Sequence, residues 1–216
     1  MTLAPRESLR EEITKSLRAA IIAGQLRPGT VYTVPTLAAQ YGVSPTPVRE
    51  AILDLAKEGL ISIAKNKGFR VSALSDAELD QITEIRALLE IPTVGALTGK
   101  LTSRQIDLLR EQAQAIVTAA EKGDLASYLQ TDTIFHTSLL GFGGNGKLVE
   151  LVTDLRNRTR LYGLDTLVHT GGLVDSAAEH LEMVALLEKG NAAKVSELMR
   201  RHLSHVRGIW ASRPES

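Results

Sequence analysis

The chain has 216 residues, of which 44% are hydrophobic and 23% charged, and its 25 basic and 25 acidic residues give a net charge of zero. No apolar run approaches the roughly 20 residues that a bilayer span needs, and the first residues lack the apolar stretch of a signal peptide, so we expect a cytoplasmic protein without a membrane partner. The absence of cysteine excludes disulfides and thiolate ligands, so any metal ion must be bound by histidine and carboxylate side chains.

The charges are divided unevenly along the chain. Residues 1–75 hold ten basic and six acidic residues, whereas residues 76–216 hold fifteen basic and nineteen acidic residues. A basic segment joined to an acidic one is typical of a nucleic-acid-binding module attached to a second domain. The charges therefore predict two domains, and a new helix that begins with a capping box at Ser75 places the boundary there, which gives domains 1–74 and 75–216 in a mainly α-helical protein.

Three helices are predicted in the first domain. A capping box formed by Ser8 and Glu11 begins the first helix, and apolar residues at helical spacing continue it to Ile21. After a Pro-Gly turn and a short extended piece, a second helix covers Pro35 to Gln40. Ser44 followed by proline indicates the start of a third.

The third helix is the candidate reader of DNA. Its apolar positions Val48, Ile52 and Leu55 share one face, and Gly59 ends it. The opposite face presents Ser44, Thr46 and Arg49. With the preceding helix and a tight turn, this pattern predicts a helix-turn-helix, in which the N-terminal end of the second helix enters the major groove. The alternative is an ordinary amphipathic helix with a solvated polar face.

A β-hairpin is predicted directly after this helix. The β-prone runs LISIA and FRVSA flank the short loop KNKG. Three helices followed by a basic hairpin are typical of a winged helix, whose wing would bring Lys65, Lys67 and Arg70 to phosphates or the minor groove. The alternative is that these side chains are merely solvated.

The second domain is predicted to be an all-α antiparallel bundle. Its first helix begins with a capping box of Ser75 and Glu78 and ends or kinks at Pro92. We expect its core stripe to consist of Leu79, Ile82, Ile85, Leu88 and Leu89. Further helix starts are indicated at Thr102, at Asp124, near Lys147 and at Ser176 with Glu179; the helix from Lys147 is expected to reach about Leu164, and the last helix should end near Trp210.

Four polar residues of this domain are predicted to converge. Asp132 and His136 are four residues apart and therefore project from one helix face. His180 and His202 lie about 15 Å and 18 Å from the break at Gly190, nearly level on adjacent antiparallel helices. One carboxylate and three imidazoles suit Zn²⁺ or another first-row divalent ion. The alternative is that each histidine is an ordinary core or rim residue.

The sequence as a whole resembles the GntR family of bacterial transcription regulators, FCD subfamily. The segments that carry this resemblance are LAAQYGVSPTPVREAILDLAKEGLI, the wing KNKGFRVS, IRALLE, the run from Asp132 to His136, and the two late histidines in EHLEMVALLEKGN and MRRHL. Positions 35 and 45, often arginine in the family, are proline here.

The resemblance implies a homodimer that binds a pseudo-palindromic operator and is controlled by a small organic acid held in the helical domain. We expect it to act as a repressor. Carried over by position, the DNA contacts come from Ser44, Thr46 and Arg49 on the helix and from Lys67 and Gly68 on the wing. The ligands of a divalent ion, most often Zn and otherwise Ni or Mn, are Asp132, His136, His180 and His202.

An acid bound at the metal also needs a nearby cation. Arg86, or one of Arg156, Arg158 and Arg160, can supply it, and of these we selected Arg86 and Arg158 as effector-binding candidates. We expect no enzyme activity. Two alternatives stay open: a metal-dependent hydrolase fused to a DNA-binding unit, and a direct metal sensor without an organic ligand.

Overall fold

The structure is a computed structural model of the chain and describes residues 8–22, 25–65, 67–159 and 172–208. It divides into two compact units, Met1–Ala73 and Leu74–Ser216. None of the described helices combines the length and the apolar composition that a bilayer crossing requires.

The N-terminal unit is a winged helix-turn-helix, as predicted. Its elements are α1 (Leu9–Ile22), β1 (Val31–Tyr32), α2 (Val34–Tyr41), α3 (Pro45–Lys57), β2 (Ile61–Ala64) and β3 (Gly68–Val71). The short strand β1 and the hairpin strand β2 both pair antiparallel with β3, which lies in the middle of the sheet. The hairpin of β2 and β3 forms the wing.

Two forked ion pairs join α1 to the C-terminal half of α3. Arg10 donates from Nε and Nη2 to Asp54, and Arg18 donates from the same two nitrogens to Glu58. The apolar face of α3 is buried, with Val48 fully enclosed. Since α3 is held by this face and by its C-terminal half, the polar side of its first turn stays open to solvent.

Gly68 is required where the wing meets β1. Its φ of 114° lies in the region that only glycine adopts without strain, and a Cβ at this position would lie 2.0 Å from the carbonyl oxygen of Tyr32. The structure therefore gives this residue a packing role, which is independent of any contact with DNA.

The C-terminal unit is a helical bundle. Its described helices are α4 (Asp76–Leu97), α5 (Ser103–Glu121), α6 (Leu125–Gly141), α7 (Gly146–Thr159), α8 (Gly172–Glu188) and α9 (Ala192–Gly208). The predicted capping boxes at Ser75 and Thr102 and the cap at Asp124 are all formed. Helix α9 packs along α4 and α8, α5 packs against α6 and α8, and α7 packs against α4 and α6.

The predicted core stripe of α4 is partly wrong. Ile85 and Leu88 are 42% and 69% exposed, whereas Arg86 and Glu90 are buried. Of the two expectations for Pro92, a helix end is wrong, because α4 continues through the proline to Leu97, and a kink stays a prediction. The proline removes the hydrogen bond to the carbonyl four residues earlier, which belongs to the exposed Leu88, where water can replace the lost donor.

The predicted helix start at Ser176 and Glu179 is wrong as well. Helix α8 begins at Gly172, and both residues are buried within it. A serine and a glutamate three residues apart also occur inside helices, where they lie on the same side, so this pattern alone does not define a start. The expected helix ends near Leu164 and Trp210 lie outside the described residues.

Candidate DNA interface and metal centre

The first turn of α3 presents a free polar surface. Ser44 is the N-cap residue, but its side chain makes no capping hydrogen bond, so the hydroxyl remains available. Thr46 and Arg49 are exposed on the same turn. Within the described part of the chain, no ion pair or hydrogen bond engages the Arg49 guanidinium.

The wing adds basic groups near its tip. Lys65 and Lys67 flank the hairpin loop and are exposed. Arg70 is also exposed, but its Nη1 donates to the carbonyl oxygen of Gly29 at 2.8 Å, which fixes the side chain along β3. Of the predicted wing residues, the two lysines are therefore the freest to contact phosphate.

The structure brings the four predicted ligand residues of the helical unit together. Nε2 of His136 lies 3.1 Å from Nε2 of His180 and 3.2 Å from Nε2 of His202. Oδ1 of Asp132 lies 3.2 Å from Nε2 of His180 and 3.5 Å from Nε2 of His136. The three histidines are buried, and one ligand atom from each of the four residues lies within 4.8 Å of the others.

Hydrogen bonds on the outer side of the cluster determine which imidazole nitrogens carry protons. Nδ1 of His180 donates to the carbonyl oxygen of Ala177 at 3.1 Å, and Nδ1 of His202 donates to Oε2 of Glu179 at 2.8 Å. A neutral imidazole has one N–H, so Nε2 of both residues presents a lone pair to the interior of the cluster.

Burial and neighbouring charge maintain the ligand form of these side chains. Burial lowers the pKa of His202 to about 4, and burial together with Arg156 holds the pKa of His136 well below its usual value. Burial alone would raise the pKa of Asp132, but the adjacent Arg156 and the histidines hold it well below its usual range. At neutral pH Asp132 is therefore a carboxylate, and His136 and His202 are neutral imidazoles.

The donor set fits a divalent ion. Bonds of about 2.0–2.1 Å in tetrahedral geometry separate ligand atoms by about 3.3 Å, close to the spacings in this cluster. Without an ion, the Nε2 atoms of His180 and His202 and the carboxylate of Asp132 all face one another as acceptors. His136 can supply at most one N–H, so most of these acceptors lack a donor from within the cluster. One ion between them would satisfy all four, and this chemistry suits Zn²⁺ or a similar first-row metal.

Buried ion pairs continue from Asp132 to α7 and α4. Arg156 donates from Nη2 to Asp132 Oδ2 and from Nη1 to Glu90 Oε2 at 3.4 Å. Arg86 donates from Nε to Glu90 Oε1 at 2.7 Å. Nε of Arg156 is buried and has no hydrogen-bond partner among the residues that the structure describes.

The structure does not bring Arg158 to the cluster, contrary to the effector-site prediction. Arg158 is exposed and pairs with Asp154 at 2.9 Å. Successive helical residues turn by about 100°, so residues two apart point to nearly opposite sides and only Arg156 faces inward. Arg86 does lie in the buried network, while Arg160 falls outside the described residues.

The sequence indicates no functional role for Glu90, and the spacing of Ser176 and Glu179 wrongly predicts that Glu179 is a capping residue. For Glu90, the signal was present in the spacing, because Ile82, Arg86, Glu90 and Val94 follow one another at four-residue intervals and are all buried. A charged pair that continues an apolar stripe indicates a buried polar site.

A winged helix-turn-helix with an open first turn, joined to a helical bundle with a buried polar centre, defines the class of two-domain DNA-binding transcription regulators. Residues 9–71 match the family described as "Bacterial regulatory proteins, gntR family", and residues 81–205 match the FCD domain. The chain therefore belongs to the GntR family, in its FCD subfamily, and is a DNA-binding transcriptional regulator.

Relatives across nearly the whole length agree with this assignment. The chain is 29% identical over 201 residues to the HTH-type transcriptional regulator McbR of Escherichia coli, covering 92% of this chain and 89% of McbR. It is 25% identical over 207 residues to the HTH-type transcriptional repressor RspR of E. coli, covering 94% and 90%. The solved structure of E. coli McbR/YncC superposes with a TM-score of 0.68 at 26% identity, covering 92% and 94%.

The buried pairing of Arg156 leads to a stability prediction. Arg156→Met should lower the free energy of unfolding by about 3–5 kcal/mol, because Asp132 would lose its buried cation. The matched change Arg158→Met removes only an exposed pair and should cost less than about 1 kcal/mol. Urea unfolding of the metal-free proteins measures both values, and equal small losses would contradict the importance of the buried pair.

Proposed function

We propose that this chain represses transcription as a homodimer on a pseudo-palindromic operator, and that a small carboxylate bound at a divalent ion in the helical unit changes its affinity for DNA. The observation that carries the proposal is the convergence of three imidazole Nε2 atoms and one carboxylate oxygen, with neighbouring Nε2 atoms 3.1–3.2 Å apart.

DNA recognition is assigned to the first turn of α3 and to the wing. The guanidinium of Arg49, which has no ion-pair or hydrogen-bond partner among the described residues, can donate two parallel hydrogen bonds to O6 and N7 of a guanine. The exposed hydroxyls of Ser44 and Thr46 can contact base edges or phosphate, and Lys65 and Lys67 can bind phosphates beside the groove. Proline at positions 35 and 45 leaves more of the base reading to Arg49.

Asp132, His136, His180 and His202 would hold the ion. Once bound, a divalent ion supplies a Lewis acid that can bind a carboxylate oxygen. The neutral imidazoles of His136 and His202 and the ionised Asp132 already have the protonation state that metal binding needs. Zinc suits these four ligands best, and nickel or manganese are the alternatives.

The charge balance of the centre favours an anionic effector. The carboxylates of Asp132, Glu90 and Glu179 pair respectively with Arg156, Arg86 and Arg201. These three acids and three bases cancel, so a divalent ion would add two positive charges that nothing in this group offsets. A small carboxylate supplies the missing negative charge, and the Nε–H of Arg156, which has no partner in the described part of the chain, offers it a donor.

The same pairing argues for a sensor over a hydrolase. A metal-dependent hydrolase needs a carboxylate or histidine free to take a proton from water. The described carboxylates nearest the cluster each hold an arginine, and the imidazoles face the proposed ion.

DNA reading is tested with Arg49. Arg49→Ala should abolish specific operator binding in a gel-shift titration, since a good bidentate guanine contact contributes about 1–3 kcal/mol of discrimination. Arg110→Ala, which alters an exposed arginine of α5 in the other unit, is the control and should bind normally. Unchanged operator affinity of the Arg49 variant would contradict the assignment.

Metal content is tested by elemental analysis. Protein purified without chelators should carry about one divalent ion per chain, and His180→Ala should lose it because an interior ligand is removed. Asp107→Asn, which changes an exposed carboxylate on α5, should retain the ion. Metal-free wild-type protein from a chelator-free preparation would count against the site.

Effector binding is tested by thermal-shift screening of small carboxylates on the metal-loaded protein. A ligand at 100 times its Kd adds about 2.7 kcal/mol of stability, and this gain should vanish after the metal is removed by EDTA. The same ligand should change operator affinity. If the metal alone changes operator affinity in carboxylate-free buffer, and no carboxylate stabilises the protein, the chain is instead a direct metal sensor.

A further inference from the structure

Glu179 has a place in the cluster that the four-ligand description leaves out. It lies on α8 next to His180 in sequence and is 7% exposed. Its Oε2 accepts a hydrogen bond from Nδ1 of His202 at 2.8 Å, and its Oε1 accepts one from Nε of Arg201 at 2.8 Å. One carboxylate therefore receives a neutral imidazole donor and a guanidinium donor on separate oxygens.

The three histidines differ in what lies behind them. Nδ1 of His180 donates to the carbonyl of Ala177, while Nδ1 of His136 is 3.9 Å from Glu90 Oε2, too far for a hydrogen bond. Among the described residues, His202 is the one histidine of the cluster whose Nδ1 donates to a carboxylate. A charged acceptor polarises the ring more strongly than a carbonyl does and makes its other nitrogen a better electron-pair donor.

We propose that Glu179 is a positioning residue that holds His202 as the Nδ1–H tautomer and strengthens Nε2 as a ligand, with Arg201 moderating the carboxylate's charge. The inference rests on the proposed metal site. Arg201 is well placed for this part because its side chain is 51% exposed and also donates to Glu182 at 3.0 Å. The two hydrogen bonds of Arg201 therefore connect Glu182 at the surface with the Glu179 carboxylate that accepts from His202.

Replacing Glu179 by glutamine should disrupt this arrangement specifically. A glutamine has one acceptor oxygen for two donors, and the permanently charged Arg201 competes strongly for it. The amide NH₂ would then face Nδ1 of His202, which favours the tautomer with its proton on Nε2 and removes the lone pair that an ion needs.

The first test is metal affinity measured by competition with a zinc chelator. Glu179→Gln should weaken zinc binding by about 10–100-fold, whereas Glu182→Gln, which removes the charge paired with Arg201 and leaves the hydrogen bond between Glu179 and His202 in place, should bind as the wild type does. Arg201→Met should bind zinc at least as tightly as the wild type, because it leaves the carboxylate's charge to His202. An unchanged affinity of Glu179→Gln, or an equal loss in Arg201→Met, would overturn the proposal.

The second test needs no metal. Long-range ¹H–¹⁵N NMR of the metal-free wild type should show His202 protonated at Nδ1, and Glu179→Gln should shift the proton towards Nε2. The same tautomer in both proteins would overturn the role of Glu179. Failure of the wild type to bind zinc would instead count against the proposed metal site, so the two ideas are tested separately.

Discussion

The main constraint on the helical unit is that it holds four electron-pair donor atoms close together. Nε2 atoms of His136, His180 and His202 converge on one point together with a carboxylate oxygen of Asp132. Such an arrangement is unfavourable unless the outward-facing nitrogens are anchored and the carboxylate is neutralised. The carbonyl of Ala177 anchors His180, the carboxylate of Glu179 anchors His202, and the guanidinium of Arg156 neutralises Asp132. Each of these three residues belongs to an element that the bundle core holds in place.

The arginines explain how so polar a centre is accommodated inside a small bundle. A buried carboxylate without a partner is costly. The carboxylates of Asp132, Glu90 and Glu179 are each paired with a guanidinium from the same or a neighbouring helix. The pairs also join α6 to α7, α7 to α4 and α8 to α9. An ion bound at the proposed ligands would add links among α6, α8 and α9, so occupancy of the centre and the packing of the bundle are thermodynamically coupled.

The sequence predicts those parts of the fold and the site in which a residue's role depends on spacing along one helix or one helical hairpin. Capping at Ser75, Thr102 and Asp124, and the shared face of Asp132 and His136, follow from spacing along one helix and were predicted correctly. His180 and His202 were placed together because a glycine break defines a hairpin whose length can be counted. Glu179 was misread because S-x-x-E resembles a cap, and Glu90 was missed because its partners lie 66 residues away on α7 as well as one turn away on α4.

The position of α4 in the chain would give the proposed effector a route to the DNA-binding unit. This helix begins at Asp76, directly after the winged unit ends, and it carries both Arg86 and Glu90 of the buried ion pairs. An effector that binds the proposed ion and the Nε–H of Arg156 would place another anion beside the guanidinium that already pairs with Glu90 and Asp132, and so would weaken the pair that joins α7 to α4. Under the proposed function, this change would control DNA binding only to the extent that the operator-bound and the free protein differ in effector affinity. Linkage requires that the factor by which such an effector changes operator affinity equals the factor by which the operator changes effector affinity. The two measured factors must therefore agree.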